Sequence, residues 1–362
     1  MKKEKLTFLA FISGVVTFGM LAYAQKASKD IITPEEARQY FSPITQDIID
    51  SPQNPVTPAK AELGKMLFHD AGLSKTGNMS CNTCHNLANY GVLNIPKEIG
   101  NKGQVGIYNI PTVYNVGFNT VILWEVRFKS VEEQANRPIL NPIQGAMPNG
   151  EAVVRLLESM SGYRELFAKA FPNEEKPITF ENVGKAIAAF ERTLITPSRF
   201  DKFLMGDTRA LTAEEKKGLK LFIEKGCVSC HNGVGVGGGM AQKMGIVKPY
   251  NSTSPSKGKY DVTKNPEDMY IFKVPSLRNV ERTAPYFHDG QVWNLEEAVR
   301  IMADIQLGIQ LKDDEVKAIV AFLKSLTGEI PRHALTLPVF IISIALRSCG
   351  SREGSRIKPV AP

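Results

Sequence analysis

The hydrophobic pattern of the chain repeats one unit twice. Thr57-Pro58 places an N-cap before a proline at the first helical position, and Leu63, Met66 and Leu67 then recur at helical spacing. Far downstream, Thr212-Ala213-Glu214-Glu215 reads as a capping box, with Leu219, Phe222 and Ile223 on one face behind it. Between these units the pattern predicts one helix from about Gly150 to Phe171 and another from Phe180 to Leu194, whose Val183, Ile187, Phe190 and Leu194 form an apolar stripe. Thr196-Pro197 stops the second of these. Asn294-Leu295-Glu296-Glu297 caps a further helix, and Val316, Ile319, Val320 and Leu323 line a last one that is expected to end at Gly328. Residues 232–275 are rich in Gly, Pro, Ser and Lys without periodicity and read as a long loop. The expected fold is mainly α with long connections.

Each repeated helix feeds the same pentapeptide, Cys81-Asn82-Thr83-Cys84-His85 in the first half and Cys227-Val228-Ser229-Cys230-His231 in the second. Two thiols three residues apart can each form a thioether to one haem vinyl group, and the next residue offers an imidazole to the iron. A zinc site would pair such cysteines within roughly twenty residues, whereas these pairs are separated by most of a domain. The repeat therefore predicts two cytochrome c-like domains, each with one covalently bound c-type haem. With the break at Pro197, they span residues 25–197 and 198–331, followed by a tail at 332–362. Gly233 to Gly238 spells a dinucleotide fingerprint, but it follows a haem motif and no βαβ unit surrounds it.

Composition adds limits. With 43% apolar and 22% charged residues the chain is globular, and four of its five cysteines are committed to the motifs, which leaves Cys349 and no disulfide framework. The formal charge of +7 is scattered, with no basic run of five or more, so nucleic acid is excluded as a partner. Residues 1–24 combine a basic start, an apolar stretch from Leu6 to Leu21 and Ala22-Tyr23-Ala24, the pattern of a cleaved signal peptide. An uncleaved anchor is the competing reading, since the apolar stretch approaches spanning length. Either way the body is expected in the periplasm. In the tail, the apolar run Val339 to Leu346 is too short to cross a membrane as a helix.

The stretches Leu63 to Phe68, Ser80 to Leu87, Asn109 to Val113, Thr193 to Pro197 and Ala284 to Gly290 resemble the bacterial dihaem cytochrome c peroxidases, in family order from about residue 35 to 331. The resemblance implies that the N-terminal haem reacts with hydrogen peroxide. The C-terminal, high-potential haem would collect electrons from a small periplasmic cytochrome c or cupredoxin. His85 and His231 are the implied proximal ligands, and Met302 falls where the family has the axial Met of the second haem. Trp124 matches the tryptophan between the haems, and Gln134 a neighbouring distal glutamine. Asn109, Thr283 and Pro285 match the oxygen ligands of a calcium ion. A homodimer is the family's usual assembly.

Two departures bear on the chemistry. Where family members that need reductive activation have a capping His, this chain has Asn101, and the distal Glu is replaced by Gln144. An Asn cannot switch on and off an iron as His does, so the first haem is expected to be five-coordinate or water-bound in every redox state. A neutral amide hydrogen-bonds peroxide but cannot shuttle its proton, and loss of a general acid-base group typically costs on the order of a hundredfold or more. Glu125, Glu132 or Glu133 would stand in only if the loop folds differently, and they are otherwise read as surface or helix carboxylates. His69 is expected as a packed helix residue, and His288 as part of the haem surroundings that does not bind iron. The rival to a peroxidase is a dihaem electron-transfer or sensing protein that has kept the fold and lost turnover.

Overall fold

The computed structural model describes residues 32–45 and 49–338. The signal-peptide pattern at 1–24, Cys349 and the apolar run from Val339 lie outside the described residues. Thr57 caps helix α1 (Pro58–His69) by accepting a hydrogen bond from the Lys60 amide at 3.2 Å. The helix expected from Gly150 to Phe171 is two, α2 (Gly150–Glu158) and α3 (Ser161–Ala170). Between them the Ser159 hydroxyl donates to the Leu156 carbonyl at 2.6 Å and Met160 is extended, so the helical ladder is interrupted. Helix α4 (Phe180–Glu191) carries Val183, Ile187 and Phe190, all buried, with Leu194 buried just beyond its end.

The second module repeats the arrangement with α5 (Ala213–Glu224), capped by the Thr212–Glu215 box as expected, α6 (Leu295–Leu307) and α7 (Asp313–Ser325). Gly308, at φ 69°, closes α6 in the left-handed cap position. Helix α7 stops three residues before Gly328. That glycine instead accepts close approach of the Thr196 backbone, pairs with Ser198 and donates its amide to Asn279 Oδ1 at 3.0 Å. The 232–275 stretch holds a small antiparallel ribbon, β1 (Ala241–Lys243) on β2 (Ile271–Lys273), with Ala241 opposite Lys273. Among the described residues no helix is long and apolar enough to cross a membrane.

Each core is built on one close helix crossing. Helix α1 meets α4 in the first, where Leu63, Leu67 and Phe68 pack with Val183, Ile187 and Phe190. Helix α5 meets α7 in the second, where Leu219 and Phe222 pack with Val316, Ile319 and Leu323. Both crossings have a glycine at the contact: a Cβ added to Gly64 would overlap the Ala186 carbonyl, and one added to Gly218 would overlap the Ala318 carbonyl. Backbone cannot retreat as a flexible side-chain end can, so Gly64→Ala or Gly218→Ala is expected to cost about 3 kcal/mol, the upper end of ordinary overpacking. Urea unfolding of the holoprotein checks this, with Gly77→Ala as reference for a left-handed glycine in open space.

The first and last described segments are crossed between the cores. Ile32, Ala37 and Phe41, which the expected 25–197 division assigns to the first module, pack in the second core beside Phe200 and Phe322. Conversely, Ala334 of the short Arg332–Leu335 helix packs in the first core, and Lys65 donates to the His333 carbonyl at 2.7 Å. At the expected junction Thr196 is fully buried and bound from both sides, by Asn115 at 2.7 Å and by Asn279 at 2.9 Å.

Candidate active site

Ser80 opens a single turn over Cys81–Cys84, and His85 ends it; Gly226, at φ 93°, precedes the corresponding turn Cys227–Ser229. Each motif lines its own cavity, of about 620 Å³ at Cys81, Cys84 and His85 and about 230 Å³ at Cys227, Cys230 and His231. Burial pushes both imidazoles down to about 4, so both rings are neutral, the form that ligates iron. His85 Nδ1 lies 3.4 Å from the Gly91 carbonyl, and His231 Nδ1 faces the Pro275 carbonyl without a well-aligned hydrogen bond. Those contacts leave each Nε2 for the metal. The thiol pair, the neutral imidazole and the cavity in each module fit a covalently attached haem.

The two cavities differ in what else they contain. Met302, on α6, lines the second with His231. Gln134 and Gln144 line the first with His85. Trp124 is buried in the wall common to both, and its Nε1 donates to the Asn109 carbonyl at 2.9 Å. The Lys273 ammonium stands 5.9 Å from the Trp124 ring centre, and burial pushes its pKa down to about 8. Sequence reasoning missed this lysine, which no spacing marks as a neighbour of Trp124.

Asn101 is buried but does not line the first cavity. Its Nδ2 donates to the Gln144 carbonyl at 2.7 Å and the Pro142 carbonyl at 3.2 Å, and its amide to the Ile143 carbonyl at 2.8 Å. Gln144 in turn donates through Nε2 to Glu98 Oε2 at 2.6 Å. Of the alternative carboxylates, Glu132 is paired with Arg192 at 2.8 Å and Glu133 accepts from the Lys129 amide at 3.0 Å, both outside the cavity lining. Glu125 does line it, buried and paired with Arg127 at 3.0 Å. Glu98 was not anticipated: it sits in a non-periodic loop 46 residues from Gln144, a separation no local pattern encodes.

His69 turns back on its own helix, with Nδ1 2.9 Å from the Lys65 carbonyl. His288 lines the second cavity, bonds Ser252 Oγ at 2.8 Å and stacks on Phe272 at 4.0 Å. Asn109, Thr283 and Pro285 share a wall of that cavity. The Asn109 Nδ2 donates to the Ile95 carbonyl at 3.1 Å, which leaves its Oδ1 as an acceptor. Among the described residues no cluster of three or more His, Cys, Asp or Glu could hold a metal, so any calcium would rest on amide, hydroxyl and carbonyl oxygens.

Residues 58–209 match the family model described as di-haem cytochrome c peroxidase, and residues 215–327 match that of cytochrome c. A cytochrome c551 peroxidase of Pseudomonas aeruginosa is 44% identical over 317 residues, covering 86% of this chain and 91% of the relative. A cytochrome c551 peroxidase of Nitrosomonas europaea is 49% identical, covering 79% of this chain and 86% of the relative. The crystal structure of a MauG-like protein associated with microbial copper homeostasis superposes with a TM-score of 0.71 at 28% identity, over 82% of this chain and 96% of that one. Two cytochrome c modules, each with its Cys-x-x-Cys-His unit, imply two haems. The chain belongs to the dihaem cytochrome c peroxidase family and to its mainly helical, two-module fold.

Proposed function

We propose that the protein reduces hydrogen peroxide to water in the periplasm, with two electrons taken singly from a small reduced cytochrome c or cupredoxin. The observation that carries this reading is the asymmetry of the cavities: Met302 shares the second with His231, while the amides Gln134 and Gln144 share the first with His85. When bound, the haems supply the electron storage and the metal on which peroxide is cleaved. His85 would hold the first iron, and Gln134 and Gln144, which line the same cavity, would orient peroxide by hydrogen bonds. His231 and Met302 would hold the second iron, a ligand pair that raises its potential and suits it to receiving electrons. Trp124, in the wall common to both cavities, relays single electrons between them. Asn109, Thr283 and Pro285, which all line the second cavity, would offer oxygen donors to a calcium ion, a hard cation matched to them.

The Asn101 side chain is committed to the Pro142 and Gln144 carbonyls, so it holds the distal loop instead of capping the iron. The fully oxidised holoprotein is therefore expected to turn over peroxide with reduced cytochrome c at once, with no lag and no gain from pre-reduction. Activity only after pre-reduction would require another capping ligand. Negligible turnover in both conditions would favour a dihaem electron-transfer protein instead.

A further inference from the structure

We propose that Glu98 is the proton-transferring carboxylate of the first cavity, held in place by Gln144, so that the acid-base group has moved to a different strand of chain instead of being lost. This rests on the peroxidase reading and assigns its missing chemistry. Glu98 and Gln144 both line the cavity with His85, and the 2.6 Å bond from Gln144 Nε2 fixes Glu98 Oε2 while leaving Oε1 for a ligand. The backbone around Glu98 is a tight hairpin: its amide donates to the Tyr108 carbonyl at 3.3 Å and its carbonyl accepts from the Gly106 amide at 2.9 Å. Gly106 leaves the side chain its room, because a Cβ there would overlap Glu98 Cγ. The two positions at which the chain departs from its family, Asn101 and Gln144, thus form one bonded unit with Glu98.

The environment suits the task. Burial holds the Glu98 carboxyl above the usual range and the nearby Glu125 charge adds to this, while the Gln144 bond opposes it. The Cys84 thiol faces Glu98 from the haem motif. Arg127, Arg137 and Lys273 are the cations of the same cavity, and Tyr108, Asp261, Asp70 and Glu191 are further acids there, Glu191 close enough to Cys81 to act on its thiol. In the proposed step Glu98 takes the proton from one peroxide oxygen and delivers it to the other, so that the O–O bond breaks toward water. Two electrons from two donor molecules and two solvent protons complete H2O2 + 2H+ + 2e− → 2H2O.

The test uses the full-length holoprotein and the variants Glu98→Gln, Gln144→Glu, the exchange Glu98→Gln/Gln144→Glu, and Glu125→Gln. The Glu98→Gln variant should lose on the order of a hundredfold in kcat/KM for peroxide, with the acidic limb of the pH profile abolished, and the exchange should restore most of it. Infrared difference spectra of the wild type, collected without peroxide, should show a protonated carboxyl band that titrates above the ordinary glutamate range and vanishes in Glu98→Gln. Retained turnover in Glu98→Gln, a uniform loss with an unchanged pH profile, an equal loss in Glu125→Gln, or no such band would each overturn the assignment. Should Glu98→Gln fail to fold, the exchange variant and the wild-type band still decide. A wild type without turnover that nevertheless shows the band would sink the peroxidase reading while leaving the carboxyl where it is placed here.

Discussion

Exchanging Met302 for His will lower the potential of the second haem by on the order of 0.2 V, out of the roughly 0.8 V over which axial ligands set haem potentials. A thioether sulfur favours the reduced iron, whereas an imidazole donates more strongly and favours the oxidised one. Met302 lines the His231 cavity from helix α6, whose Asn294 cap is made by two backbone amides at 2.8 and 3.1 Å. That cap fixes the start of the helix, and with it which face meets the cavity. Each 59 mV is tenfold for a single electron, so 0.2 V shifts the equilibrium with a given donor by about three decades. Spectroelectrochemical titration reads the potential directly, and turnover with a high-potential donor should fall in parallel. An unchanged potential for both haems would remove Met302 from the ligand set.

Replacing Asp201 with Ala will cost about 3–5 kcal/mol, the range for leaving one partner of a buried ion pair without the other. Asp201 and Arg278 are both fully buried and joined by two bonds of 2.9 Å. The aspartate also accepts the Ile44 amide at 2.8 Å and the Ser198 amide at 2.7 Å, and the arginine donates to the Val234 carbonyl, a few residues past His231. The pair therefore ties the N-terminal segment, the inter-module junction and the second haem loop to one point. Burial alone would raise the Asp201 pKa, but Arg278 and the amide donors overcome it and hold the carboxyl below its ordinary value. Because the folded pKa is depressed, this stabilisation is present above the ordinary carboxylate range and is lost as pH falls through the lower folded value. Urea unfolding across that acid window should show the wild type converging on Asp201→Ala, and parallel curves at all pH would refute the account.

The repeated capped helix and the pentapeptides were legible because their signals are local: Thr57, Thr212 and Asn294 cap helices at the expected residues. The stripe at Val183, Ile187 and Phe190 is the α4 face that meets α1. What sequence could not reveal depends on chain segments far apart. Glu98 meets Gln144 across 46 residues, and Lys273 of the second haem loop meets Trp124 of the first module. Helix ends were misplaced where a tertiary demand overrode propensity, as at Gly328, which is needed for the approach to Thr196 and not as a cap. Of the carboxylates singled out from the sequence, Glu132 is tied to Arg192 and Glu133 to the Lys129 amide, uses that only packing reveals, while Glu125 does line the cavity.

The crossed segments set the order in which the molecule can be completed. Arg38 reaches the Leu204 carbonyl across 166 residues, and Lys65 reaches the His333 carbonyl across 268. A chain delivered amino end first presents Ile32 to Phe41 to a core that is not yet made, and completes the first core only when His333 and Ala334 arrive. Neither half can mature as a finished parcel while the other is still being threaded. Neither crossing segment lines a haem cavity, so what they close is the packing of the two cores and not the walls of the sites.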